Sequence, residues 1–389
     1  MQRGFIRDNL ERSLRDAFNA PQLRVLDLTG SRPAADLARE PWIPVKYGAM
    51  GPDDWAGIVP ARVTYQRTPG TGAEILNLIV KVNPRQGLAR TLIPWIVETR
   101  GIALDRPYWM YRSAAESDHT APREQHIYAL AKSTPALRRV LPRCYGMATN
   151  AQTGEHAVFL EDVEHAARLD ASGATGDWPT DAVDAALSAA ADWQKAFWNA
   201  GPAELPFAAP RLNTADMVAD APLWRGILDD ARKRFPAIMT NDVWRRRHRL
   251  IDTMQTWHSV KDQIPSTLAH NDFNQRNVGL RPEILVLDWE LAELNTAHRD
   301  IVEMLTFALP TSAGRERIDS HLERHRLALA NAGITQGTDR DAWMEGFRCE
   351  LKVEAINRIG LQFVFGAAFP LAYLERINAT IEHLLDLYR

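Results

Sequence analysis

Residues 268–293 read LAHNDFNQRNVGLRPEILVLDWELAE, and they carry most of what the sequence says about fold and chemistry. A polar loop in this stretch lies between two short apolar pieces, which is the pattern of strands joined across a turn. The loop contains His270, then Asp272 two residues later and Asn277 five residues after that. Asp288 closes the second apolar piece, sixteen residues after Asp272.

This set of side chains matches the requirements of phosphoryl transfer. That reaction needs a carboxylate to orient or deprotonate the attacking hydroxyl, and a cation on the nucleotide phosphates. It also needs oxygen ligands for Mg²⁺, which prefers carboxylates, amides, water and phosphate. Asp and Asn are common turn residues, so each position alone is a weak signal. The ordered set of four positions argues against coincidence.

The pattern H-x-D-x-x-x-x-N, followed by an apolar strand that ends in D-W-E, resembles the aminoglycoside phosphotransferases and their choline kinase-like relatives. Protein kinases share a more distant version, H-R-D-x-x-x-x-N with D-F-G. The resemblance implies an ATP- and Mg²⁺-dependent phosphotransferase that acts on a hydroxyl of a small molecule. It also implies that Asp272 is the catalytic base, that Asn277 and Asp288 are metal ligands, and that His270 braces the loop.

The same resemblance implies an α+β, bilobal protein kinase-like fold, with a small β-rich N-lobe and a large, mostly helical C-lobe. The predicted divisions are an N-terminal extension over 1–60, a nucleotide-binding N-lobe over 61–163 and a helical C-lobe over 164–389. Residues 83–120 form an inserted segment in the N-lobe, and the joint between the lobes is predicted near 161–166.

The predicted secondary structure changes at that joint, because strand signals become rare after about residue 165. Before it, the patterns predict helices over 1–20, 88–100 and 121–132 and strands over 61–68, 73–82 and 155–163. After it, two strand-like pieces are predicted at 266–269 and 284–287. Helices are predicted over 181–200, 221–234, 240–261, 297–309, 314–333, 339–367 and 371–388.

Lys81 ends the apolar run 75–80, where a buried lysine is costly unless it is paired. An isolated strand-end lysine can extend its amine to solvent instead. Beside the loop motif, the resemblance implies a lysine that contacts the nucleotide phosphates, with Glu124 as its partner. The alternative for Glu124 is a surface glutamate at the start of a helix.

Two further segments are candidates for nucleotide contacts. Gly70 and Gly72 lie in a turn between two strands, where the resemblance implies a loop that covers the nucleotide and a plain hairpin turn is an equal alternative. Glu161 and Val163 follow the apolar run 157–160 and resemble the hinge, where backbone groups bind adenine. An ordinary strand end is the alternative there.

The loop departs from the commonest small-molecule form of the family. Asn271 replaces a glycine, and Asn274 stands where many protein kinases have a lysine that neutralises the transferred phosphate. Arg276 is the candidate to supply that charge, the alternative being Lys81 and the metal alone. Asp300 resembles a buried structural aspartate that holds the loop through its backbone N–H groups. A helix N-terminal acid is the other interpretation.

The sequence is less specific about the acceptor. Glu290, Glu293, Glu350 and Glu354 could hold a cationic acceptor, or they could lie on solvated helix faces. The basic run 245–249 could bind an anion, although successive helical residues point in all directions and favour a solvated face. A Ser/Thr kinase for a peptide and a non-catalytic nucleotide-binding protein are the competing functions.

Composition excludes some classes of protein. The net charge of −3 argues against a nucleic-acid partner, and two cysteines in no ligand pattern favour a cytoplasmic protein. The N-terminus has no apolar core typical of a secretion signal. The longest uncharged apolar stretch, 359–374, is shorter than the roughly 20 residues of a membrane span, so no membrane association is expected.

Overall fold

The computed structural model describes residues 1–30, 53–84, 86–163, 176–280 and 283–389, which form two lobes. A five-stranded sheet makes up the centre of the N-terminal lobe, and helices dominate the C-terminal lobe. The predicted bilobal α+β fold is therefore confirmed. The predicted lobe boundaries stay predictions, since residues 31–52 of the extension and residues 164–166 of the joint lie outside the described residues.

The N-terminal sheet is antiparallel throughout and has the strand order β1-β2-β3-β5-β4. Its strands are β1 (Arg24–Gly30), β2 (Gly57–Gln66), β3 (Glu74–Asn83), β4 (Cys144–Thr149) and β5 (His156–Glu161). The predicted strands correspond to β2, β3 and β5, whereas β1 and β4 were missed. Both missed strands lie at the edges of the sheet and bury few residues, so their hydrophobic alternation is weak.

Helix α1 (Arg3–Ala17) covers one face of this sheet. Ile6, Leu10 and Leu14 recur at helical spacing and are fully buried against the strands. Gly146 on β4 permits the close approach, because a Cβ atom there would lie 2.1 Å from the hydroxyl oxygen of Ser13. The N-terminal helix thus belongs to the core of the sheet.

Three helices lie between the third and fourth strands in the chain and contact the C-terminal lobe. They are α2 (Leu92–Arg100), α3 (Thr120–Leu130) and α4 (Pro135–Val140). The first of them belongs to the predicted inserted segment and packs against a C-terminal helix, 358–368. The insertion therefore bridges the two lobes on one side.

The C-terminal lobe consists of ten described helices. They are α5 (Thr180–Ala196), α6 (Thr214–Ala219), α7 (Ala221–Arg234), α8 (Asn241–Asp252), α9 (Met254–Asp262), α10 (His298–Ala308), α11 (Arg315–Asn331), α12 (Arg340–Ile356), α13 (Arg358–Ala368) and α14 (Leu374–Leu387). Two predicted long helices are each divided, one at Thr253 and the other at Asn357. Within the described ranges, no helix is long and apolar enough to cross a membrane.

Two small two-stranded sheets lie where the lobes meet. Their strands are β6 (Thr267–Ala269), β7 (Val278–Leu280), β8 (Ile284–Val286) and β9 (Glu293–Asn295). The strands β7 and β8 form a hairpin, and β6 pairs with β9. The polar loop leaves β6 and enters β7, while Asp288 follows β8, so both motifs face the cleft between the lobes.

Candidate active site

The loop between β6 and β7 is held by the ring of His270, which is fully buried. Its Nδ1 accepts the backbone N–H of Asp272 at 3.2 Å, and its Nε2 lies 2.9 Å from the carbonyl oxygen of Leu287. One tautomer, with the proton on Nε2, satisfies both contacts. The ring therefore ties the loop to the residue before Asp288, which is the contact that a bracing histidine must make.

Asp300, at the start of α10, also holds this loop in place. Its two carboxylate oxygens accept the backbone N–H groups of His270 at 3.1 Å and Asn271 at 3.0 Å. Gln194 donates a third hydrogen bond at 3.0 Å. Asn271 has a φ of +63°, a conformation that asparagine tolerates better than most residues. The predicted structural role of Asp300 is confirmed by these bonds.

The carboxylate of Asp272 is surrounded by donors. Asn277 donates to Oδ2 at 2.7 Å, and Asn274 donates to Oδ1 at 2.9 Å. A nitrogen of Arg276 lies 3.6 Å from Oδ1, so the structure brings this predicted residue to the loop aspartate. The remaining donor is Arg358, whose Nη2 lies 3.0 Å from Oδ1.

Arg358 is the main residue that sequence reasoning missed. It opens α13, 86 residues after Asp272, and its guanidinium also lies 3.4 Å from Glu303. Its only sequence signal is a single arginine immediately before a long uncharged apolar stretch. A charge at that place must be paired to be buried, but the sequence does not name the partner.

A buried ionic network extends behind Arg358. Glu303 accepts from Arg299 and from Asn274, and Arg299 also pairs with Glu354 at 2.5 Å. Burial acts to raise the pKa of Glu303, but Arg358 and Arg299 outweigh it and hold the pKa at about 2. The loop aspartate is therefore anchored to α10, α12 and α13 through alternating charges.

On the opposite side of the cleft, Lys81 lies among three carboxylates. Its amine is 2.8 Å from Glu124 on α3, 2.6 Å from Asp288 and 3.5 Å from Glu290. Burial acts to lower the pKa of Lys81, but the three acids raise it well above its ordinary value. The expected partner Glu124 is therefore in place, and Lys81 does not extend to solvent.

The donors in the cleft suit a hard divalent cation. The amide nitrogen of Asn277 is committed to Asp272, which leaves its oxygen as the atom able to ligate. Carboxylate oxygens of Glu124, Asp288 and Glu290 lie within 4.8 Å of one another. Oxygen donors of this kind fit Mg²⁺. The sequence had named Asn277 and Asp288 but neither glutamate as a possible ligand.

The hinge candidates lie at the end of β5. The backbone N–H of Glu161 donates to the carbonyl of Arg143, and the Glu161 carboxylate accepts the Arg143 N–H, both at 2.9 Å. Val163 is buried against Leu285 and the half-buried Leu287. This apolar contact joins the hinge to the hairpin that precedes Asp288.

Gly70 and Gly72 are not brought to this site. They lie in the turn between β2 and β3, which is exposed and leaves open space around both glycines. Glu74 is the first residue of β3 after this turn, and Lys81 lies seven residues farther along the strand. At roughly 3.3 Å per residue, the turn is about 23 Å from Lys81. Their assignment to nucleotide binding is corrected to a hairpin turn, for which Gly70 supplies a φ of +87°.

Comparison with known protein families matches residues 62–337 to the model of the phosphotransferase enzyme family. The chain belongs to that family. Among curated protein sequences, this phosphotransferase has no significant match. Its fold is similar to a crystal structure of aminoglycoside-3'-phosphotransferase of type VIII, at 14% identity and a TM-score of 0.41, covering 88% of this chain and 99% of that one. It is also similar to an ethanolamine kinase of Plasmodium vivax, at 10% identity and a TM-score of 0.47, covering 86% and 81%.

The four acids considered for a cationic acceptor do not form an open cluster in this phosphotransferase. Glu293 accepts from Asn295, Glu350 pairs with Lys261 at 2.7 Å, and Glu354 pairs with Arg299; all three are buried. Glu290 belongs to the Lys81 cluster. Both sequence interpretations, a cationic acceptor site and solvated faces, are therefore wrong for Glu293, Glu350 and Glu354, and the solvated face is also wrong for Glu290.

Proposed function

We propose that this phosphotransferase transfers the γ-phosphate of ATP to a hydroxyl group of a small molecule. The observation that carries the proposal is the pair of charged clusters facing the cleft. One centres on Asp272 with Arg276 and Arg358, and the other on Lys81 with its three acids. A carboxylate for the acceptor and a lysine for the phosphates are the parts that phosphoryl transfer needs.

The chemical step assigns the proton to Asp272. As the acceptor oxygen attacks the γ-phosphorus, its proton passes to an oxygen of Asp272. The bond between the γ-phosphorus and the oxygen that bridges to the β-phosphate breaks, and ADP leaves. Asn277 and Asn274 hold the carboxylate by hydrogen bonds of 2.7 and 2.9 Å, so it is oriented before the acceptor arrives.

The nucleotide side is assigned to the N-terminal lobe and the Asp288 turn. Lys81, held by Glu124, contacts the nucleotide phosphates, and the hinge around Glu161 and Val163 contacts the adenine. Asn277 and Asp288 are proposed to hold Mg²⁺, which when bound neutralises charge on the phosphates. Arg276 and Arg358 add positive charge beside the position of the transferred group.

The acceptor is proposed to bind beside Asp272, where the inserted segment and the C-terminal helices form a fixed wall. The contact of α2 with α13 closes this wall, as does the buried hydrogen bond of 3.0 Å from Asn357 to Glu116 of the insertion. Asn357 directly precedes Arg358, which contacts Asp272. Because the four acids considered above are internally paired, the acceptor need not be a cation, and neutral and anionic alcohols should be assayed too.

The test is ADP release with Mg-ATP across a panel of hydroxyl acceptors. The panel contains aminoglycosides, macrolides, choline, homoserine, sugars, hydroxy acids and Ser/Thr peptides. Asp272→Asn serves as the inactive variant, and Asp242→Asn, on the surface helix α8, serves as the matched control.

We expect acceptor-dependent ADP release by the wild type and by Asp242→Asn, with a loss of at least about a hundredfold in Asp272→Asn. Near-normal turnover by Asp272→Asn would refute the assignment of the base. Release that only peptides stimulate would favour the peptide kinase, and nucleotide binding without turnover on any acceptor would favour a binding protein.

A further inference from the structure

A second cavity lies outside the proposed active site, beyond the edge strand β4. It has a volume of about 730 Å³ and is enclosed by α1, α3, α4 and β4. In the strand order, β5 separates β4 from β3, which carries Lys81. Cavities of about 300–1,000 Å³ are typical of small-molecule sites. Apart from Glu161, none of its lining residues has a role in the proposed reaction.

The cavity wall carries more positive than negative side chains. Arg12, Lys132, Arg138 and Arg143 line it, and none of the four has a carboxylate within 4.0 Å among the described residues. The lining acids are Asp16 and Glu161. The Glu161 carboxylate already accepts the backbone N–H of Arg143. Four exposed cations that line one cavity without counter-charges favour an anionic ligand.

The cavity also has apolar wall. Leu141 and Met147 lie next to the basic residues in its lining. The lining therefore combines apolar surface with positive charge that lacks a counter-charge.

We propose that this cavity is a binding site for a small anion that carries an apolar body. The anionic group is bound by Lys132 and Arg138, and the apolar body lies against Leu141 and Met147. The site is separate from the nucleotide cleft, so the proposal does not depend on the phosphotransfer reaction.

The probe is 8-anilinonaphthalene-1-sulfonate, an aromatic sulfonate whose fluorescence rises when it leaves water. It is titrated against the full chain at low ionic strength. We expect Lys132→Gln/Arg138→Gln to raise the dissociation constant by about tenfold, since two cations are lost.

A matched control removes the same charge elsewhere. Arg245→Gln/Arg249→Gln neutralises two exposed arginines on α8 and should leave the dissociation constant within about twofold of wild type. Ala17→Trp places a bulky ring at a lining position without changing charge and should also weaken binding. Thermal unfolding of each variant checks that it is folded.

The outcomes separate the site from general dye binding. Weakened binding in the Lys132/Arg138 and Ala17 variants, with the control unchanged, supports the cavity. Equal weakening in the control double variant means that overall charge governs binding and overturns the proposal. Unchanged binding in Ala17→Trp, which tests the cavity even where the double variant fails to fold, also overturns it.

Discussion

Replacing Arg358 by methionine tests whether the arginine positions the proposed base. The substitution keeps an unbranched apolar stem and removes the guanidinium, which lies 3.0 Å from Asp272 and 3.4 Å from Glu303. A hydrogen bond between charged groups contributes about 1.5–3 kcal/mol. If this amount is lost from the transition state, kcat falls by about 10- to 150-fold.

The KM for ATP provides the second readout. Lys81 and its partners lie in a separate cluster, so we expect KM for ATP to stay within about twofold of wild type. A loss of folded enzyme would also lower the apparent kcat at an unchanged KM, so kcat is calculated per nucleotide-binding site, counted by titration with ATP. Stability should also fall by about 3 kcal/mol, because a buried ion pair is broken, and assays therefore need a temperature at which the variant is folded.

Two variants serve as comparisons for Arg358→Met. Arg358→Lys keeps the charge but cannot contact Asp272 and Glu303 together, so it should restore part of kcat. Arg376→Met removes a C-terminal arginine that pairs with Asp177 instead and should keep near-normal kcat. A kcat for Arg358→Met within twofold of wild type, with Asp272→Asn inactive, would refute the positioning role.

Two further predictions concern buried groups of the C-terminal lobe. Asp300→Asn replaces an acceptor oxygen by an N–H donor that faces the N–H groups of His270 and Asn271. The free energy of unfolding, measured in urea, should therefore fall by about 2–4 kcal/mol, and turnover should fall as well. Burial lowers the pKa of His298 to about 4, so the unfolded chain binds its proton at higher pH than the folded chain. The free energy of unfolding therefore falls as the pH is lowered from 6.5 towards 4. Between pH 7 and pH 5, urea unfolding should show a loss of about 2 kcal/mol that comes from His298, and His298→Leu should lack this loss.

Each of these has a contrary result. A stability change below about 0.5 kcal/mol in Asp300→Asn would mean that other contacts hold the loop. For the histidine, the exposed His126→Leu is the control. If the free energy of unfolding falls equally between pH 7 and pH 5 in the wild type, in His298→Leu and in His126→Leu, other groups are responsible.

The arrangement of the loop was predictable because it is encoded locally. His270, Asp272 and Asn277 lie within eight residues, and their spacing on one tight turn restricts where the side chains can go. Asp300 was predictable for a related reason, since it follows the Asp288 turn at the start of the next helix. Strongly periodic helices such as α7 were also predicted to the residue.

Errors arose where a residue's environment depends on distant parts of the chain. Glu350 and Glu354, four residues apart on a charged-looking helix, suggested a surface, yet each is buried against a cation from another helix. Gly70 and Gly72 were assigned to nucleotide binding because the turn motif does not indicate which end of β3 lies at the active site. The register of β2 with β3, in which Ile58 pairs with Lys81, decides that.

The sequence by itself determined the reaction class and the lobe architecture, because ordered motifs and hydrophobic periodicity are properties of short segments. Only the tertiary structure decided which charges meet: Arg358 with Asp272 across 86 residues, and Lys81 with Asp288 across 207. Such pairs form because burying one charge is unfavourable until an opposite charge lies beside it. Their positions are set by the packing of helices and strands over the whole chain, which no local pattern records.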